Sequence, residues 1–170
     1  MDVPCTNEKR HLFLTGEKGV GKSTLIKKIL NGRKERIGGF LTVKTGAVFS
    51  GKTSLHLLRL DNGEEPSEEN FLCFCPPVAD PAAAKRFDHL GCAALAQGGD
   101  FLVMDELGPA EARAKDFCAL VKAALDGDAP VVGVLQKADG PLYHLVSTHP
   151  NVRLVEVTVE NRDTLAAEFA

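Results

Sequence analysis

Gly16-Glu17-Lys18-Gly19-Val20-Gly21-Lys22-Ser23-Thr24 is a phosphate-binding loop, and its context decides the fold. An apolar run, His11-Leu12-Phe13-Leu14-Thr15, leads into it, and a helical pattern, Leu25-Ile26-Lys27-Lys28-Ile29-Leu30, leaves it. Strand, loop and helix in that order form the setting in which such a loop works. The glycines let backbone N–H groups turn inward around phosphate oxygens, where a side chain at Gly16 or Gly21 would intrude. The following helix points its positive dipole end at the same anions. Lys22 is expected to reach the β- and γ-phosphates, and the Ser23 hydroxyl to take one position on Mg²⁺. Glu17, Lys18, Gly19, Val20 and Thr24 complete the expected nucleotide-binding set, with Lys18 either adding charge or facing solvent.

A second motif suits the first. Phe101-Leu102-Val103-Met104 is a buried-strand pattern that ends in Asp105-Glu106. A carboxylate at a strand tip can face the metal through water, the role expected of Asp105. Glu106 is then the candidate to orient or deprotonate an attacking water. Glu111, near the start of the next helix, either lines the same cleft or complements the helix dipole.

Apolar segments alternate with helical ones, which predicts an α/β fold: a three-layer P-loop NTPase arrangement with a mainly parallel sheet and a small antiparallel extension. Strands are expected at Gly38 to Val43, Ser54 to Leu60, Phe71 to Cys75, Phe101 to Asp105, Pro130 to Leu135 and Val152 to Val157. Gly46 to Gly51 reads as a turn. Helices are expected from Ala82 to Gln97, Pro109 to Leu125, Leu142 to Ser147 and Arg162 to Phe169, with Pro109 suiting a first helical turn. Residues 38 to 77 form the antiparallel extension, and residues 1–170 read as one domain. The active cleft belongs at the carboxyl ends of the strands beginning near His11 and Phe101.

Bulk composition narrows the classes. The 170 residues are 44% hydrophobic and 25% charged, with a formal net charge of -3. That balance supplies no electrostatic reason to expect nucleic acid or an acidic membrane as partner. No apolar run approaches membrane-spanning length, and Met1-Asp2-Val3-Pro4-Cys5 has no signal-peptide layout, so the expectation is a cytoplasmic protein. Five cysteines without metal-like spacing read as reduced thiols. The five histidines are dispersed, with neither zinc spacing nor an evident nucleophile–base pair.

From these residues outward the chain resembles the THEP1-type nucleoside-triphosphatases, the family of the human cancer-related nucleoside-triphosphatase. Four stretches carry the resemblance: His11 to Gly16 with the loop and Leu25-Ile26; Gly39-Phe40-Leu41-Thr42; Asp105 to Glu111; and Val157 to Asp163. It implies Mg²⁺-dependent hydrolysis of several nucleoside triphosphates, ATP and GTP among them, to diphosphate and phosphate. It also implies binding roles for the loop, for Asp105 and Glu106, and for Asn161 and Arg162. Independently, Asn161 and Arg162 follow the last strand at the end where α/β ligands lie, or else simply start a helix. In one place the chain departs from the family pattern. Where relatives carry two arginines after Gly-Phe-Tyr-Thr, this chain has only Lys44 and Lys52, and a lysine does not reproduce a bidentate fork on phosphate. Arg59 and Arg113 are the candidate substitutes.

Three rival readings stand beside the hydrolase. Gln136-Lys137-Ala138-Asp139 nearly fits a guanine-reading motif, as in a small GTPase. A nucleotide or metabolite kinase uses the same loop, but would carry a lid with clustered arginines. A nucleotide-dependent switch with little turnover would engage an unidentified protein partner through residues 44 to 75. The nucleoside triphosphate is the common ligand of all of them.

Overall fold

In the computed structural model, residues 9–76, 80–108 and 113–169 are described. The sequence period changes from two to near four and back along the chain, and the elements follow it. They run β1 (His11–Thr15), α1 (Lys22–Leu30), β2 (Ile37–Phe49), β3 (Lys52–Arg59), a 3₁₀ turn (Glu68–Asn70), β4 (Phe71–Phe74) and α2 (Ala83–Ala96). Then come β5 (Phe101–Leu107), α3 (Lys115–Asp126), β6 (Val131–Leu135), α4 (Pro141–Ser147), β7 (Val152–Glu156) and α5 (Arg162–Phe169).

One sheet holds all seven strands in the order β4-β3-β2-β5-β6-β1-β7. From β2 to β7 the pairings are parallel, while β3 on β2 and β4 on β3 are antiparallel. This is the expected mainly parallel sheet with a small antiparallel extension. Helices cover both faces because successive strand side chains point to opposite sides. Phe13 of β1 enters a core with Phe40, Phe87, Phe117, Val121 and Leu125, which packs α2 and α3. Leu14, next along the strand, enters the other core with Ile26, Ile29, Val103, Val134 and Leu165, which packs α1 and α5. The β2–β5 pair is unusually close at Gly39 (φ 90), where a Cβ would run into the Val103 carbonyl. Only glycine fits that approach.

Two expectations are corrected. Gly46 to Gly51 is not a turn: β2 continues to Phe49, Thr45 pairs with Ser54 and Phe49 with Lys52, leaving Ser50 and Gly51 as the reversal. The polar, glycine-containing stretch stays in the ladder because a register irregularity between Thr45 and Phe49 absorbs it. The helix expected from Pro109 starts at Lys115, since Ala114 with ψ 89 stands outside helical backbone. Pro109 to Ala112, Glu111 included, lie outside the described residues.

Candidate active site

Parallel strands bring their carboxyl ends to one edge, so Thr15, Asp105, Leu135 and Glu156 lie along the same rim. At the tip of β1 the chain turns into the loop through Gly16 (φ 137), where a Cβ would collide with the Val157 carbonyl. Val157 N–H in turn donates to Thr15 O at 2.8 Å, so the segment that leaves β7 backs the loop. The loop closes at Gly21 (φ 106), and α1 begins at Lys22 with no acidic residue in its first turn. Its dipole end is therefore uncompensated by any carboxylate of its own first turn.

Lys22 folds back on the loop, its Nζ donating to Gly16 O and Glu17 O at 2.7 Å each. Glu17, Lys18, Gly19, Ser23 and Thr24 are exposed, while Val20 packs partly into the α1 core. Beneath the loop, the buried Thr15 Oγ1 has no hydrogen-bond partner among the described residues.

Asp105 is buried, 4% exposed, near the end of β5. Thr42 of β2 holds it, donating from its backbone N at 3.2 Å and its hydroxyl at 3.4 Å, both to Oδ2. Burial raises the Asp105 pKa above the ordinary carboxylate value, and the neighbouring Glu106 charge adds to the rise; the Thr42 bonds and the Lys27 charge on α1 oppose it. Glu106 is exposed and takes a left-handed backbone, φ 69, unique among the described non-glycine residues. The β5–β6 register shifts between Met104 and Leu107, and Gln136 N donates to Leu107 O at 2.7 Å beyond the irregularity. A bulge thus turns Glu106 outward while Asp105 and Leu107 both stay buried.

β6 lies between β5 and β1, so the acid pair and the loop are two strands apart rather than adjacent. Asn161 is occupied locally. Its Oδ1 accepts from Thr158 N at 2.7 Å, its Nδ2 donates to Glu156 O at 2.8 Å, and Thr158 Oγ1 accepts from Asn161 N at 3.2 Å. This reciprocal cap starts α5 and presents Arg162, whose Cδ would lie 3.8 Å from a Cβ on Gly21. Arg162, Asp163, Thr24 and Lys28 line a cleft of about 200 Å³ beside the loop. A larger cleft, about 330 Å³, opens between β5, β6 and α4, lined by Arg113, Gln136, Asp139 and Tyr143 over Leu107 and Leu142.

Of the candidate arginine substitutes, Arg113 lines this larger cleft beside Leu107 and Gly108, whereas Arg59 stands elsewhere. Arg59 is clamped by Asp61 with bonds of 2.9 and 2.6 Å. Lys52 lies over the Phe74 ring at 5.1 Å, near the hairpin tip. Sequence reasoning missed two features. Thr42 positions Asp105, although it sits inside the Gly39 to Thr42 match. Ser54, His56 and Asn70 form a chain, Ser54 Oγ to His56 Nε2 at 2.7 Å and His56 Nδ1 to Asn70 Oδ1 at 2.9 Å. Ser54 and His56 are fully buried, so this group ties β3 to the turn before β4 and is closed to substrate. No helix among the described residues is long and apolar enough to cross a membrane.

A family model described as NTPase matches residues 11–170. The nucleoside-triphosphatase THEP1 of Caldivirga maquilingensis is 30% identical, the match covering 92% of this chain and 91% of that protein. The protein of the same name from Thermofilum pendens is 29% identical over 95% of this chain and 93% of its own length. Among solved structures, THEP1 from Aquifex aeolicus superposes with a TM-score of 0.75 over 94% of this chain and 96% of that one; at 23% identity this is a likeness of fold.

Proposed function

The chain belongs to the NTPase family, and on that footing we propose that it hydrolyses nucleoside triphosphates to diphosphate and phosphate with Mg²⁺ as cofactor. The observation that carries this reading is the shared rim: a glycine-rich cradle on β1 and a buried carboxylate on β5, with one strand between them.

Loop amides and the α1 dipole hold the phosphates. Lys22 exchanges the Gly16 and Glu17 carbonyls, which it holds at 2.7 Å, for β- and γ-phosphate oxygens. The donor set fits Mg²⁺. Both hydrogen bonds to Asp105 fall on Oδ2, which leaves Oδ1 for metal-bound water, and the Ser23 hydroxyl is exposed at the mouth of the cradle. The described residues contain no cluster of three or more His, Cys, Asp or Glu that could hold a metal ion. A magnesium ion is therefore to be held chiefly by substrate phosphate and water, its usual manner at such sites. When bound it neutralises charge on the β- and γ-oxygens. Glu106 orients the attacking water and takes its proton. Arg162, over the cleft beside Gly21, is read as a contact to ribose or base. Asn161 fixes where Arg162 stands. The compartment is read as the cytoplasm, in keeping with thiols kept reduced.

The test is incubation of pure protein with ATP, GTP, CTP and UTP in Mg²⁺, with products resolved by chromatography. Diphosphate and free phosphate from several nucleotides, lost in Lys22→Ala and Glu106→Gln, support the hydrolase. A phosphorylated acceptor in place of free phosphate supports the kinase reading, and tight binding without turnover supports the switch.

A further inference from the structure

Charge at the γ-phosphate is the unfilled part of this site, and the sheet order indicates where it comes from. β6 lies between β1 and β5, so its carboxyl end opens between the cradle and the acid pair, about 4.8 Å from each flanking strand. Leu14 of β1 stands level with Val134 of β6, and Thr15 with Glu156 of β7. Lys137, just past the end of β6, and Glu156 thus flank the start of the loop from opposite sides. Lys137 Nζ lies 3.4 Å from Glu156 Oε1. With β1 between the strands that carry them, this pair spans the tip of β1 where the cradle begins.

The pair is weak. Both side chains are more than half exposed, 62% and 56%, and such pairs contribute about 0–1 kcal/mol. A triphosphate tail in the cradle offers a denser negative charge than one carboxylate, and the flexible four-carbon stem lets the ammonium change partner. Lys22 and Lys18 belong to the loop itself, Arg59 is held by Asp61, Lys52 sits on an aromatic ring, and Arg113 lines the cleft at the ends of β5 and β6. Lys137 is the cation whose ion pair spans the tip of β1. Arg162 approaches from the other side, at Gly21.

We propose that Lys137 is a catalytic residue of the hydrolysis: on nucleotide binding its ammonium leaves Glu156 for a γ-phosphate oxygen. This rests on the nucleoside-triphosphatase reading. In the reaction a water oxygen bonds to Pγ while the bond from Pγ to the β–γ bridging oxygen breaks. The water proton passes to Glu106, and the electron pair stays on the diphosphate. Lys137 neutralises charge on the transferring group throughout. Its position between cradle and acid pair lets it do so without the forked geometry of an arginine.

Lys137→Met keeps the stem and removes the charge at an exposed position that does not threaten folding. Turnover of ATP with Mg²⁺ is measured alongside calorimetric affinities for ADP and for the non-hydrolysable analogue AMPPNP. The expected result is a fall in kcat of about 100-fold and weaker AMPPNP binding by about tenfold, with ADP binding unchanged. Lys137→Arg restores part of both losses. A native turnover rate, or equal losses for AMPPNP and ADP, overturns the assignment. If the native protein turns over no nucleotide, the hydrolase reading fails instead, and the AMPPNP-to-ADP ratio alone decides whether Lys137 meets the γ-phosphate.

Discussion

Asp105 and Glu106 are consecutive, yet the fold treats them in opposite ways. Asp105 is buried with its pKa raised by desolvation, so the folded state holds its proton more readily than the unfolded chain. Folding stability from this group therefore falls as pH rises from the ordinary value of 3.8 through the raised folded value, and stays reduced at neutral pH. Asp105→Asn keeps an oxygen for the Thr42 donors and removes the charge. Without nucleotide it is expected to melt above the native protein at pH 7, the gap closing towards pH 4, as differential scanning calorimetry across pH will read. The same variant is expected to lose Mg²⁺-dependent turnover, the result that would mark the carboxylate as kept for chemistry at a cost in stability. Glu106 carries a different strain. A left-handed backbone at a non-glycine residue costs about 1–2 kcal/mol. Glu106→Gly is expected to exceed Glu106→Ala in stability by about 1 kcal/mol in urea denaturation, and both to be inactive. Equal stability of the two would mean that the backbone at φ 69 is relaxed. The acid pair was legible in the sequence because a buried-strand pattern ends on it. The opposite burial of the two was not, since that depends on a bulge against β6.

At the scale of elements, the antiparallel extension was the least legible region. Its strands were anticipated, but a turn was expected at Gly46 where β2 in fact continues. Local composition at Gly46 favours reversal; cross-strand pairing with β3 overrides it, since each paired residue satisfies backbone groups that a turn would leave to water. The buried Ser54–His56–Asn70 chain is a second product of that pairing. Ser54 and His56 share a face at a spacing of two, and Asn70 arrives from the 3₁₀ turn, a meeting that no local pattern announces. His56→Leu fills similar space but strips both partners of a hydrogen bond. It is expected to lower stability by about 2 kcal/mol while leaving the KM and kcat of the folded fraction unchanged, as denaturation and steady-state kinetics will show. A loss of turnover in the folded protein would place this network in the chemistry. The late start of α3 has the same kind of origin: Ala114 leaves helical backbone at ψ 89, although the composition from Pro109 onward suits a helix throughout.

For the molecule as a whole, the site is shared among strands that only the folded sheet brings together, so ligand and fold stabilise each other. Saturating nucleotide at about 100 times Kd adds about 2.7 kcal/mol to the native state. For a chain of this length that raises Tm by about 5–10 °C. Lys22→Ala, which removes the ammonium proposed to bind phosphate but is not needed by either core, is expected to keep its own Tm and lose most of the shift. A full shift in that variant would move the triphosphate away from the loop. By itself the sequence determined the cradle, the strand that ends in an acid pair, the alternation of strands and helices, and the family. Each of these is a pattern over neighbouring residues, and periodicity and backbone freedom act at that range. Tertiary structure alone decided that β6 separates the cradle from the acids, that Thr42 fixes Asp105, and that Lys137 reaches Glu156 over β1. Strand order is settled by which apolar faces pack together across the whole core, and residues distant along the chain become neighbours only when it is settled.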